Sequence, residues 1–287
     1  MTQALTQAGT SATFKAPPRP LPWGAWGLRS AALLYLGAMV AIPMLVVGLD
    51  GARYGLDGLL KTLGTPVARN AILLTVWTAL VMTAINAVMG TLTAYVLVRY
   101  DFPAKRILSA LVDLPFALPT LVTGVMLVLL YGPQTIIGTF FEQNFGTRIV
   151  FAPLGIIIAL LFVGYPFVIR AVEPILVDLD YSQQEAAHTL GASQWRTFWR
   201  VVFPAIRPAI VTASLLGFAR SLGEFGSVII VAGNLPNKPQ TATVYIYSQV
   251  EGGNMQSASA VSLILLAIAF VITLTVDYVE HRRRARS

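Results

Sequence analysis

Residues 182–204 read SQQEAAHTLGASQWRTFWRVVFP, a polar and aromatic segment between two long apolar runs. Ser182 is followed three residues later by Glu185, a capping box that predicts the start of a helix. Gly191 suits the left-handed position that ends such a helix. Ser193 suits the N-cap of a second short helix, and Pro204 with Pro208 is predicted to stop that helix. The segment is therefore predicted to fold as a helix–turn–helix.

The apolar runs on both sides of this segment belong to a chain of unusual composition. Of its 287 residues, 56% are hydrophobic and only 11% are charged, and the mean hydropathy is +0.70. A soluble domain of this size needs far more charge to cover its surface. The apolar excess is therefore predicted to face lipid.

Six stretches of the chain have the apolar length of about 20 residues that a membrane-spanning helix requires. The fifth stretch, Pro208–Ala232, is apolar except for Arg220 and Glu224, and the second, Asn70–Val98, is longer than one helix needs. The predicted fold class is all-α: a polytopic membrane protein with six transmembrane helices. The stretches are Ser30–Leu49, Asn70–Val98, Leu114–Phe141, Ile149–Ile169, Pro208–Ala232 and Met255–Val276.

Lys and Arg predict the orientation of these spans. Fourteen of them lie in the two tails and in the segments after the second and fourth spans, whereas five lie on the alternate side. Positive charge accumulates in cytoplasmic loops. Both termini, and with them the 182–204 segment, are therefore predicted to be cytoplasmic.

The tails are predicted to flank one transmembrane domain. Residues 1–29 lack a hydrophobic period and are predicted to be a disordered cytoplasmic tail. Residues 30–277 form the transmembrane domain, and residues 278–287 form a basic cytoplasmic tail. The apolar run at 30–49 is too long for a signal peptide and no convincing A-x-A cleavage site follows it, so we predict a retained anchor.

Several kinds of chemistry are excluded or disfavoured by composition. The chain has no cysteine, no Walker A loop and no HExxH motif, so ATP hydrolysis would require another chain. The net charge of +7 is explained by topology, and no nucleic-acid partner is expected. The two histidines are far apart in sequence, and His188 is predicted to be solvated helix surface. We expect no metal, no cofactor and no catalytic residue in this chain.

The 182–204 segment resembles the EAA loop of ABC importer permeases, E-A-A-x3-G-x9-I-x-L-P. Val201 and Phe203 replace the Ile and Leu of that pattern. In this family the loop is the coupling helix, which docks into a groove on the ATPase subunit. The resemblance thus implies a coupling role for the loop; an ordinary amphipathic linker is the alternative. The residues concerned are Glu185, Ala186, Ala187, Gly191, Ala192, Ser193 and Pro204.

Two charges lie inside the fifth predicted span. Arg220 is about 18 Å along a helix counted from Pro208, and a charge at such depth costs roughly 2.5–3.5 kcal/mol on insertion scales. Glu224, four residues later, is its predicted partner. Two interpretations are open. The two residues form a buried structural ion pair, or Arg220 lines an anion path and Glu224 partly neutralises it so that the ligand can leave.

Glycine and proline interrupt the third and fifth spans. Such interruptions point to a translocation path, since freed backbone groups are tolerated where they line a cavity. A proline kink packed against neighbouring helices is the alternative for the third span. The candidate path residues are Pro115, Pro119, Thr120, Thr123, Arg220, Gly223, Glu224 and Phe225.

Three further stretches resemble the sulfate/thiosulfate branch of these permeases: residues 113–119, 221–226 and 231–234. The first and third are more similar to its T-type subunit than to its W-type subunit, and the similarity covers about residues 70–277. The Gly-Glu-Phe-Gly element at 223–226 is also typical of molybdate and tungstate permeases, so these substrates stay open.

The resemblance implies a type I importer in the bacterial inner membrane. It would contain a second, W-like permease, two copies of an ABC ATPase that uses ATP and Mg²⁺, and an extracytoplasmic sulfate-binding protein. The alternative of another class, an ion-coupled secondary anion carrier, would show more intramembrane carboxylates and would have no use for an EAA loop. A membrane enzyme would need a constellation of His, Cys or Asp near the interface.

Overall fold

The computed structural model describes residues 22–53, 55–234 and 239–284, and every regular element in this part of the chain is helical. Two short π-helical segments interrupt the α-helices, at Gly37–Ala41 and Phe198–Val202. The helices are α1 (Pro22–Leu36), α2 (Ile42–Arg53), α3 (Gly55–Gly64), α4 (Pro66–Arg99), α5 (Lys105–Ala117), α6 (Thr120–Tyr131), α7 (Ile136–Phe145), α8 (Pro153–Asp178), α9 (Tyr181–Thr189), α10 (Gln194–Thr197), α11 (Phe203–Leu222), α12 (Gly226–Ala232), α13 (Ala242–Glu251) and α14 (Met255–Arg284).

Within the described residues, five helical stretches are long and apolar enough to cross a membrane. The bent pair formed by α5 and α6 counts as a sixth if it is one span. The predicted all-α, polytopic fold class is therefore confirmed. The five stretches are Trp26–Gly51, Pro66–Arg99, Pro153–Asp178, Gln194–Leu222 and Met255–Val276.

The first stretch starts earlier than predicted. Helix α1 begins at Pro22, inside the segment 1–29 that was predicted to be a tail, and residues 1–21 lie outside the described residues. The chain divides into two units between Val46 and Val47. Nearly all described side chains up to Val46 are exposed, as expected of a helix that faces lipid.

The third predicted span, Leu114–Phe141, is not one helix. Helices α5 and α6 meet at an angle of 116°, and α7 is separate. The break lies at Leu118, whose ψ of 133° is extended. A residue before proline is disfavoured in the helical region, and Pro119 follows directly. The sequence thus predicted the irregularity, although it placed the span about nine residues too late.

The fifth predicted span is wrong at both ends. A helical stretch runs from Gln194 to Leu222 and passes through Pro204 and Pro208, so Pro204 does not stop the second helix. The π segment explains this: the N–H of Phe203 donates to the Phe198 carbonyl five residues back, and Pro204 then falls in the first turn of α11, where its missing N–H costs little. The stretch ends at Leu222, and α12 starts anew at Gly226.

The core of the larger unit lies where α8 packs against α4 and α11. Small residues on α4 allow close approach, which is the usual device for packing helices in a membrane. A Cβ on Gly90 would lie 2.9 Å from the Cβ of Val168 on α8. Ala94, Val172 and Ile206 are fully buried in the same cluster. This packing places the C-terminal end of α8 and the start of α11, which flank the 182–204 segment, on the same core.

Candidate functional site: the 182–204 loop and two broken helices

Helix α9 forms the first half of the 182–204 loop, and its cap differs from the prediction. The N-cap is Asp180, whose Oδ1 accepts from the Ser182 N–H at 2.8 Å and whose Oδ2 accepts from Ser182 Oγ at 2.7 Å. These hydrogen bonds to the charged carboxylate hold the pKa of Asp180 below its ordinary value. The capping box assigned to Ser182 and Glu185 is therefore wrong, since the N-cap is Asp180, two residues earlier.

The end of α9 agrees with the prediction for Gly191. Its φ is +80°, a conformation that favours glycine. The Ala192 N–H donates to the Ala187 carbonyl at 3.0 Å, and the Gly191 N–H donates to the His188 carbonyl at 2.9 Å. These are the two bonds of a Schellman motif. Nδ1 of His188 lies 3.1 Å from the Ala192 carbonyl, a contact in which the Nδ1–H tautomer donates across the turn. The residue itself is exposed, as predicted.

The second half of the loop begins as predicted. Ser193 is the N-cap of α10, and its Oγ accepts from the Arg196 N–H at 3.3 Å. Phe198 makes an edge-to-face contact with Tyr95 of α4, with ring centroids 5.6 Å apart. This contact anchors the base of the loop to the core, while Trp195 stays 72% exposed.

The tip of the loop presents one large apolar side chain beside small residues. Leu190 is 88% exposed, and the neighbouring Ala186 and Gly191 are also exposed. Protein contacts are marked by contiguous exposed apolar patches and not by single exposed apolar residues, so Leu190 gains weight from its place between small residues at the tip. Leu190 was not among the predicted loop residues, although an apolar residue directly before the helix-ending glycine was the available signal.

Helices α6 and α12 both start at a break and start side by side. A Cβ on Gly226 would overlap Oγ1 of Thr120, and a Cβ on Gly124 would lie 2.8 Å from the Cβ of Ile230. The second contact lies four residues further towards the C-terminus than the first on both helices, so the helices run parallel. The structure thus brings Thr120 of the third predicted span next to the 223–226 break of the fifth.

The predicted ion pair of Arg220 and Glu224 is present, with Nη1 3.1 Å from Oε2. It spans a helix end, because α11 stops at Leu222 and Gly223 is its C-cap. The Glu224 side chain is 2% exposed, whereas the Arg220 side chain is 44% exposed. The two charges therefore differ in access: the carboxylate is enclosed, and the guanidinium has an open side.

Glu224 also holds the start of α12 in place. Its Oε1 accepts from the Ser227 N–H at 3.1 Å and from Ser227 Oγ at 3.0 Å. Its backbone carbonyl accepts from Thr243 Oγ1 on α13 at 2.8 Å. A carboxylate near a helix N-terminus is favoured by the orphan N–H groups and the helix dipole. Glu224 therefore ties α11, α12 and α13 together.

The remaining candidate path residues are placed less uniformly. Phe225 packs against Tyr247 with ring centroids 5.1 Å apart, beside an open apolar groove on the surface. Pro119 is exposed and Pro115, inside α5, is half-buried. Thr123 is only 2% exposed, so its hydroxyl lies within the packed part of α6.

Comparison with known proteins agrees with this architecture. Residues 86–285 match the family model of the "Binding-protein-dependent transport system inner membrane component". The chain belongs to this family. Members are membrane subunits of ABC importers, which work with an ATPase and a substrate-binding protein, and the catalytic ATPase is a separate subunit. The matched range includes the whole 182–204 loop and both breaks.

Relatives of this permease match it over most of their length. One, 40% identical over 91% of this chain and 89% of its own, is named "Probable sulfate transport system permease protein cysT" in Chlorokybus atmophyticus. Another, 38% identical over 91% of this chain and 88% of its own, is named "Sulfate transport system permease protein CysT" in a Synechocystis species. A solved chain of a bacterial alginate ABC transporter has a TM-score of 0.73 at 17% identity, covering 91% of this chain and 94% of that one.

Proposed function

We propose that this permease is the T-type subunit of an ABC importer that moves sulfate, and also thiosulfate, into the cytoplasm. The observation that carries the proposal is the naming of the relatives at 38–40% identity, together with a complete coupling-type loop at 182–204. The solved neighbours support the fold alone, since their identity is below 25%. ATP and Mg²⁺ would be used by the partner ATPase.

The open side of Arg220 supports an anion path at the junction of α11, α6 and α12. An arginine inside a spanning helix does not face lipid; it faces a bundle interior or an aqueous cavity. A path for a dianion needs limited positive charge, because a fully unpaired cation would bind too tightly for release. Glu224, paired at 3.1 Å, lowers the local charge without blocking the open side of the guanidinium.

The loop tip supports docking to an ATPase. Leu190 and Trp195 are exposed apolar side chains. They lie at the C-cap of α9 and in α10, and the N-termini of these two helices are capped by Asp180 and Ser193. A pre-ordered tip loses little entropy on binding. Gly191 and Ala186 leave the tip low enough to enter a groove.

The proposed assembly has one loop per permease and therefore two permeases for two ATPases. The second permease would be a W-like paralogue, and an extracytoplasmic sulfate-binding protein would deliver the substrate. Both termini would lie in the cytoplasm of a bacterium, with the permease in its inner membrane, as the Lys and Arg distribution favours. Nucleic acid has no place in this assembly.

Growth tests the proposed substrate. A strain that lacks its own sulfate permeases, supplied with this chain and its partner subunits, is expected to grow on sulfate as sole sulfur source. The matched control is the same strain with the ATPase subunit omitted, which is expected not to grow. Growth without the ATPase would indicate a secondary carrier. Failure to grow, together with restored molybdoenzyme activity in a molybdate-uptake mutant, would assign the permease to molybdate.

A further inference from the structure

Arg170 on α8 is the centre of a polar cluster that links α8 to α5 and that has no role in the proposed function. Its Nε and Nη2 lie 2.6 Å from Oδ1 and Oδ2 of Asp113 on α5, a bidentate pair. Nη2 also donates to the Ser109 carbonyl of α5 at 2.8 Å. On its own helix, Nη1 donates to Oε2 of Glu173 at 2.5 Å. One guanidinium therefore binds three acceptor residues; we name Arg170, Asp113, Ser109 and Glu173 the Arg170 hub.

The hub is specific to arginine. A planar guanidinium matches a carboxylate with two parallel bonds, which adds geometric specificity to the charge attraction. Lysine presents a point charge and does not reproduce this geometry. The Arg170 and Glu173 side chains are 30% and 18% exposed, whereas the Asp113 side chain is 53% exposed. Water therefore screens the Arg170–Glu173 pair less than the Arg170–Asp113 pair, and the Arg170–Asp113 pair depends on its bidentate geometry.

The hub lies between the two parts of the candidate site. Helix α8 ends at Asp178 and leads within two residues to Asp180, the cap of the 182–204 loop. Helix α5 leads through the break at Leu118 to α6, whose first residue, Thr120, meets Gly226 at the start of α12. The hub therefore joins the stem of the loop to the broken third span.

We propose that Arg170 is a positioning residue that makes α5 and the end of α8 move as one body. A displacement of the loop is then transmitted to the junction of α6 and α12 instead of being absorbed between α5 and α8. This inference rests on the proposed coupling function of the loop, but not on the identity of the transported anion. Asp113, which opens the 113–119 stretch, acts through Arg170.

Distance measurements test the rigid body directly. The chain lacks cysteine, so spin labels can be placed at Ile107 on α5 and Val177 on α8, which are 63% and 64% exposed. In the full complex, the label distance is expected to stay the same in the nucleotide-free and ATP-bound states, and to broaden with Asp113→Asn. The inference is overturned if the wild-type distance changes between states, or if Asp113→Asn leaves the distribution unchanged.

Coupling efficiency distinguishes positioning from plain stability. We measure anion imported per ATP hydrolysed by the reconstituted complex, normalised to assembled complex. We expect Asp113→Asn and Arg170→Lys to lower this ratio about tenfold while ATP hydrolysis continues, because each variant loses the bidentate pair between Arg170 and Asp113. The matched control is Asp101→Asn, which removes the exposed Lys105–Asp101 pair at the start of α5 and is expected to keep the ratio.

The outcomes separate this inference from the proposed function. A merely structural hub would lower the amount of complex and leave the ratio unchanged, which would overturn the inference. If the wild-type complex imports molybdate and not sulfate, the proposed substrate is wrong. The role of the Arg170 hub is then tested by the same ratio measured with molybdate. An equal loss in the Asp101→Asn control would also overturn the inference, because it would show that any charge change on this segment uncouples transport.

Discussion

Gly226→Ala is the substitution for which the contact between α6 and α12 predicts the sharpest effect. The added Cβ would overlap Oγ1 of Thr120 and would lie 3.0 Å from the Leu121 backbone nitrogen and 3.1 Å from the Thr120 Cβ. The Thr120 hydroxyl is part of a side chain and can change rotamer, but the Leu121 nitrogen is backbone at a helix start and cannot rotate away. Forcing an extra carbon into such packing costs about 1–3 kcal/mol. We expect the unfolding midpoint of the reconstituted complex to fall by roughly 2–10 °C.

Gly223→Ala is the matched control, three residues away in the same break. The atom closest to its added Cβ is the Arg220 carbonyl oxygen at 3.8 Å, which is ordinary contact, and we expect a change within about 0.5 kcal/mol. The assay is thermal unfolding followed by tryptophan fluorescence, with anion uptake per assembled complex measured alongside. Thr120→Ala combined with Gly226→Ala is expected to recover part of the loss, because it removes the overlapping oxygen. Equal midpoints for Gly226→Ala and Gly223→Ala would refute the close contact.

Three further predictions concern the loop, the ion pair and the topology. Gly191→Val should abolish stimulation of ATP hydrolysis by loaded binding protein, because a β-branched residue is disfavoured at a φ of +80°. The control Gly146→Val, at a φ of +62° outside the loop, should retain stimulation. Normal stimulation in Gly191→Val would contradict the coupling role. Arg220→Ala should reduce uptake per complex more than Glu224→Ala, and wild-type uptake in the double variant would make the pair structural. A cysteine at Ser287 should resist labelling from outside intact cells; labelling there would reverse the predicted topology.

The loop was largely predictable because its signals are local. Gly191 and Ser193 act through bonds to residues three to five positions away, so their spacing alone located the turn and the second cap. The cap at Asp180 was missed because two candidates two residues apart, Asp180 and Ser182, both suit an N-cap. Only the three-dimensional arrangement shows which of them accepts the backbone N–H.

The breaks were predictable in kind but not in position. Pro119 and the 223–226 glycines indicated irregular helices, but apolar runs do not mark where a helix bends, since both sides of the bend are equally apolar. The continuation through Pro204 depends on a π turn, for which the sequence has no clear signal. Prolines are tolerated in spanning helices where the surrounding structure satisfies the freed groups.

The long-range contacts could not be predicted from one sequence. Asp113 and Arg170 are 57 residues apart, and Arg170 was counted only as one of the positive charges that set the topology. Thr120 and Gly226 belong to different predicted spans, and nothing in their local patterns pairs them. Such contacts follow from how α5, α6, α8 and α12 pack, which composition and periodicity leave open.

ATP hydrolysis by the purified four-component complex tests the central claim most directly. The complex contains this permease, the proposed W-like partner, the ATPase and the binding protein, reconstituted in vesicles. We predict that sulfate-loaded binding protein stimulates ATP hydrolysis and that labelled sulfate accumulates inside the vesicles only when ATP reaches the ATPase. Accumulation of sulfate without ATP would contradict the account. So would a rate of ATP hydrolysis that stays the same when binding protein loaded with any tetrahedral oxyanion is added.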